Sequence, residues 1–121
     1  MDMNFYTIFG WCSMSCIFLI LKKEFSFLKS MYGFKLYDYQ SKGSYYYTTW
    51  TNHRVKIKIL YDCGAHYPVK IFIYDADSLG TIYDVTEYFT EFVVKFGTPR
   101  KRLLCAAEWL KKAIEHGNIT I

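Results

Sequence analysis

Between Asp2 and Lys22 the chain carries no charge: Met3 to Leu21, MNFYTIFGWCSMSCIFLIL, is uncharged and mostly apolar. As a helix rising about 1.5 Å per residue, that stretch extends for roughly 28 Å, close to the hydrocarbon thickness of a bilayer. A cleaved secretory signal fits poorly. Asp2 stands where a basic n-region belongs, and Leu19-Ile20-Leu21-Lys22-Lys23 lacks a small-residue cleavage pattern. The expectation is a membrane anchor helix over residues 1–24, with Phe5, Phe9, Trp11, Ile17, Phe18, Leu19, Ile20 and Leu21 in lipid. A buried or interfacial element is the alternative, because Asn4, Thr7, Ser13 and Ser15 temper the hydrophobicity. Lys22, Lys23 and Lys29 behind the stretch would hold the rest of the chain on the cytoplasmic side of the membrane.

The length of 121 residues leaves room for one domain. Aromatic side chains make up 21% of it, with twelve Tyr and ten Phe, enough to build a dense core in a small fold. Beyond residue 21 there are fifteen basic and ten acidic side chains, a net +5, too mild to mark a nucleic-acid binder by itself. Cys12 and Cys16 lie four apart in the apolar stretch, Cys63 and Cys105 far apart, and no C-x-x-C pair occurs. That spacing argues against a structural zinc site.

Glu24 to Ser44 reads as a connector over 25–44, polar at Gln40-Ser41-Lys42-Gly43-Ser44. Tyr45 to Thr51, YYYTTWT, is a β-type run. In Arg54 to Tyr61, RVKIKILY, Val55, Ile57, Ile59 and Tyr61 share one face while Lys56 and Lys58 take the other. After a turn at Asp62-Cys63-Gly64-Ala65-His66, Val69, Ile71 and Ile73 alternate with Lys70, Phe72 and Tyr74. Period-two alternation in two runs joined by a turn predicts an antiparallel hairpin with one buried and one half-wetted face.

The period changes after a second turn at Asp75 to Gly80. Asp84 with Glu87 forms a capping-box pattern, and Val85, Tyr88, Phe89, Phe92, Val93 and Phe96 make a helical stripe that Gly97 closes. Thr98-Pro99 then restarts as N-cap and first helical residue. Leu103, Ala106, Ala107, Leu110, Ala113 and Ile114 form the inner stripe of this last helix, Gly117 stops it, and Asn118 to Ile121 add a short edge strand. The expected architecture is α+β: an N-terminal apolar, transmembrane-type helix, then a domain over 45–121 with a small antiparallel β-meander and a C-terminal helical pair.

No catalytic constellation is present. Asp75, Asp77 and Asp84 lack the later ligands of a calcium loop. His53, His66 and His116 fall in turns or at a helix end, away from any nucleophile motif, and Cys63 with His66 has no third orienting group. No catalytic residue, cofactor or metal is therefore expected. Two binding features stand out. Arg100-Lys101-Arg102 sits in the first turn of the last helix, where the dipole disfavours cations, and so points to anion contact. Tyr45, Tyr46, Tyr47, Trp50, Phe72 and Tyr74 exceed what so small an interior accommodates, which points to an aromatic interface.

The segment Ile82-Tyr83-Asp84-Val85-Thr86-Glu87-Tyr88-Phe89 resembles the strand-to-helix entry of cytochrome b5-like domains. Their haem-ligating turn has no counterpart in Glu91 to Gly97, so haem is not implied. The same D-V-T pattern, running into a Gly and a Thr-Pro helix start, resembles small membrane-associated structural proteins of large icosahedral DNA viruses. That resemblance implies a virion setting and no catalytic residue. The resulting expectation is a non-enzymatic, membrane-anchored structural or adaptor protein, such as a minor capsid protein tying a capsid shell to an inner membrane and docked on protein neighbours. The alternative is a small basic module for nucleic acid or anionic lipid, using Arg54, Lys56, Lys58 and Arg100 to Arg102.

Overall fold

The hairpin read from alternation forms the centre of a larger sheet. A computed structural model describes residues 5–6, 8–9, 14–65, 68–75, 81–84, 98–117, 119 and 121. Its elements are β1 (Phe5–Tyr6), β2 (Ile8–Phe9), α1 (Met14–Glu24), α2 (Phe27–Tyr32), β3 (Lys35–Lys42), β4 (Tyr45–Thr51), β5 (Val55–Asp62), β6 (Val69–Asp75), β7 (Thr81–Asp84) and α3 (Pro99–Glu115). The two-residue strands β1 and β2 pair only with each other. The main sheet is an antiparallel meander in chain order, β3-β4-β5-β6-β7, with four long strands and a short β7. The fold is α+β.

Register fixes the two faces. Trp50 pairs with Ile57 and Ile57 with Ile73, while Thr48 pairs with Ile59 and Ile59 with Ile71. All of these are buried, and they form the inner face together with Val55, Tyr61 and Val69. Each isoleucine buried there contributes on the order of 1.5–3 kcal/mol relative to exposure. Thr48, the one buried polar residue described, accepts a hydrogen bond from Trp50 Nε1 at 3.1 Å, so neither polar group is stranded. Between β4 and β5, Asn52 Oδ1 accepts from the backbone N–H groups of Arg54 and Val55 at 2.7 and 2.8 Å, an Asx turn that starts β5 in phase.

Helices cover the inner face. α1 packs on β4 and on α3, α2 on β3, and α3 on β6. Thr98 Oγ1 accepts from the Lys101 N–H at 3.2 Å and Pro99 follows, as the sequence indicates. Leu103, Ala106, Ala107, Leu110 and Ala113 are buried and Ile114 is half-buried, so the expected inner stripe is the observed one. Gly117, at φ +76°, ends the helix in a left-handed conformation that favours glycine.

Three expectations change. Among the described residues no helix is long and apolar enough to cross a membrane. α1 has only eleven residues and ends in Lys22, Lys23 and Glu24. Its Ile17, Phe18 and Leu21 lie in the domain core with Phe25, while Leu19 is 66% exposed, so α1 is an amphipathic core helix. The supposed connector holds α2 and β3, and Leu28 and Phe34 join the same core. Ile119 is not in a strand; it is buried, and its N–H donates to Ala113 O at 3.3 Å. The helix expected after Asp84 lies outside the described residues, as do Trp11, Cys12 and His66. Asp84 itself closes β7.

A candidate docking face on the open side of the sheet

With the described helices gathered on one face, the outward residues of the strands make up the other. β4 turns Tyr45, Tyr47 and Thr49 outward, β5 Lys56, Lys58 and Leu60, and β6 Lys70, Phe72 and Tyr74, by the same registry that buries their neighbours. A bulge in β3 between Leu36 and Asp38 adds Tyr37 to this side. Leu36 packs on the core, and Tyr37 and Asp38 line a shallow depression of about 270 Å³ with Tyr47, Lys56, Lys58 and Tyr74. After the bulge, Tyr39 returns to the helix side, where its ring meets Phe18 edge-on at 5.1 Å and carries Lys22 Nζ at 4.4 Å.

Cations and rings interleave on the open face. Lys58 Nζ stands 4.2 Å from the Tyr47 ring centroid and Lys56 Nζ 5.3 Å from that of Tyr37. Each such contact is worth about 0.5–1 kcal/mol at an exposed site, enough to bias the ammonium's position without neutralising it. Phe72 and Tyr74 lie side by side, centroids 6.4 Å apart and planes 29° apart. Phe72 is the cross-strand partner of Lys58, and Tyr74 of Lys56. Asp38 is the acidic group of the depression, and Gln40 Nε2 donates to its Oδ2 at 2.7 Å.

The six-residue aromatic interface read from sequence therefore divides. Tyr45, Tyr47, Phe72 and Tyr74 are on the open face. Trp50 belongs to the core at 3% exposure, and Tyr46 is half-buried against Phe18 with ring centroids 5.8 Å apart. The cause is strand parity: Tyr46 and Trp50 each lie two residues from the buried Thr48 and pair with the inward Tyr61 and Ile57. Sequence reasoning missed Tyr37, because the bulge shifts its phase, and left Lys70 out of the interface although it shares a face with Phe72 and Tyr74.

The basic triplet also divides. Arg100 and Lys101 are exposed in the first turn of α3. Arg102 is half-buried and donates from Nη1 to the Tyr61 hydroxyl at 3.2 Å, which ties it to the core. A larger groove of about 550 Å³ runs between α1 and the head of α3, lined by Leu19, Ile20 and Pro99. Lys23, Glu24 and Arg100 on its walls are of mixed sign and select no single ligand charge.

Among the described residues no group of His, Cys, Asp and Glu is placed to hold a metal ion. Burial pushes the Cys105 thiol above its ordinary pKa, and Glu108 adds to the shift, the reverse of an activated nucleophile. No protein-family model, curated protein or solved structure matches this chain.

Proposed function

We propose that this protein is a non-enzymatic adaptor or structural component that docks on a neighbour in an assembly through the open face of its sheet. The observation that carries the reading is the concentration of Tyr37, Tyr47, Phe72 and Tyr74 opposite the helices, interleaved with Lys56 and Lys58. Rings and long cations grouped on a face that the described helices do not cover are the usual makings of a binding surface. The resemblance of the segment from Asp84 to Pro99 to small structural proteins of large icosahedral DNA viruses supports a setting in a virus particle, as a minor capsid component. A membrane span by residues 3–21 has no place in the proposal, because Ile17, Phe18 and Leu21 serve the core.

The test places a photo-cross-linking amino acid at position 72 on the open face, or at position 108 on the exposed side of α3, in cells that produce the protein naturally. Cross-links at position 72 and none at 108 are the expected result. Silence at 72, or equal labelling from both sites, overturns the reading.

The alternative of a basic module gains one specific support. The lysines Lys56 and Lys58 are held over rings on the same face. Both readings thus use one surface and differ in what covers it.

A further inference from the structure

The open face repeats a small unit. In one cross-strand row Lys58 faces Phe72, and in the next outward row Lys56 faces Tyr74. Each row presents one aromatic ring and, on the adjacent strand, one ammonium. The rings are 6.4 Å apart, and each lysine is steadied by a second ring, Tyr47 or Tyr37. A single-stranded nucleic acid has the same repeat, one planar base and one phosphate per nucleotide.

We infer that this face binds single-stranded nucleic acid, with successive bases stacked on Phe72 and Tyr74 and the adjoining phosphates against Lys58 and Lys56. The inference rests on the open face being the docking surface and names the chemistry of its occupant. Stacked nucleotides rise about 3.4 Å each, so rings nearly twice that far apart suit an unstacked, extended strand. A duplex keeps its bases paired and offers these rings nothing to stack on. Charge complementarity runs the same way. Lys42, Lys56, Lys58 and Lys70 hold outward positions against Asp38, Asp62 and Asp84, a net charge of +1, and the carboxylates of Asp38 and Asp62 already accept from Gln40 and from Ser44. Stacking is indifferent to base identity, so binding is expected to be nearly sequence-independent.

The experiment titrates the full chain into fluorescein-labelled single strands, one of DNA and one of RNA, with a matched duplex, polyglutamate and anionic phospholipid vesicles as rival polyanions. Single strands bind best, and the DNA and RNA arms show which sugar is preferred. Phe72→Ala and Tyr74→Ala each weaken binding roughly fivefold to a hundredfold, the range of one lost stack. Phe72→Leu gives the same loss while preserving apolar bulk, and decides the matter if the alanine variant fails to fold. Lys56→Ala and Lys58→Ala each reduce the slope of log K against log salt by about 0.7, one phosphate contact on a single strand. Glu108→Ala changes nothing.

Absence of single-strand binding by the folded chain overturns the inference. So do equal affinities for polyglutamate, vesicles or duplex, and indifference to Phe72→Leu. If position 72 still cross-links to a protein in cells, only the nucleic-acid occupant falls and the docking face stands. If position 72 is silent, the docking reading itself falls.

Discussion

The Arg102 guanidinium donates from Nη1 to the Tyr61 hydroxyl at 3.2 Å, joining the first turn of α3 to the inner face of β5 across forty-one residues of chain. Tyr61 is 2% exposed, so its hydroxyl depends on partners within the protein. Arg102 therefore serves the fold, whereas its neighbours Arg100 and Lys101 are left to solvent.

Arg102→Ala is expected to cost about 1.5–3 kcal/mol, the range for a hydrogen bond involving a charged group, while Arg100→Ala stays within about 0.5 kcal/mol. Urea unfolding of the two variants measures the difference. A double-mutant cycle with Tyr61→Phe isolates the coupling; additivity would show that the pair does not act as a unit.

Leu21 distinguishes a core helix from an anchor. It is fully buried in the domain, so Leu21→Ala is expected to destabilise by about 2–5 kcal/mol. Leu19, two residues earlier on the opposite side of the helix and 66% exposed, tolerates Leu19→Ser with little change in unfolding midpoint. Equal effects at both positions, read by chemical denaturation without detergent, would speak against the assigned helix face.

Gly43 sits between β3 and β4 at φ +63°, with open space where a Cβ would stand. The expected cost of Gly43→Ala, about 1 kcal/mol, is thus conformational and not a clash. Gly43→Asn is expected to recover part of it, because asparagine tolerates the left-handed region better. Thermal unfolding of the two variants gives the comparison.

Cys105 gives the fold a pH dependence. Its folded pKa is raised, by burial first and then by Glu108, so the unfolded chain loses this proton before the folded one does. The contribution to stability is complete below the ordinary thiol pKa of about 8.5 and is lost as pH rises through the folded value. Denaturation midpoints should fall in that alkaline window, and Cys105→Ser should flatten the fall. An unchanged pH profile in the variant would count against the assignment.

What the sequence made legible follows from how local its signals are. β5, β6 and α3 declare themselves because their periods are unbroken and Thr98-Pro99 and Gly117 mark the ends of α3. β3 hides because the bulge after Leu36 breaks its alternation and its far end is solvent-exposed on both sides. α1 was misread because apolar composition does not say whether lipid or a sheet will cover it; the arrangement of Ile17, Phe18, Leu21 and Phe25 beneath the core does. At the site, the lysines and rings of β5 and β6 were legible from parity. The Lys56–Tyr37 and Lys58–Tyr47 contacts were not, because they depend on strand register and on a bulge that no local pattern announces.

Because spatial order in the sheet repeats chain order, every strand pairing closes only a short loop. Closure of short loops is entropically cheap, and a meander of this kind assembles faster than a sheet with crossovers. The packing of α1 on α3 is the exception, since it joins the two ends of the described chain around the completed sheet. The transition state for folding is then expected to be polarised toward the β4–β5–β6 hairpins. The helical clasp closes afterwards, so mutations in it hasten unfolding more than they slow folding.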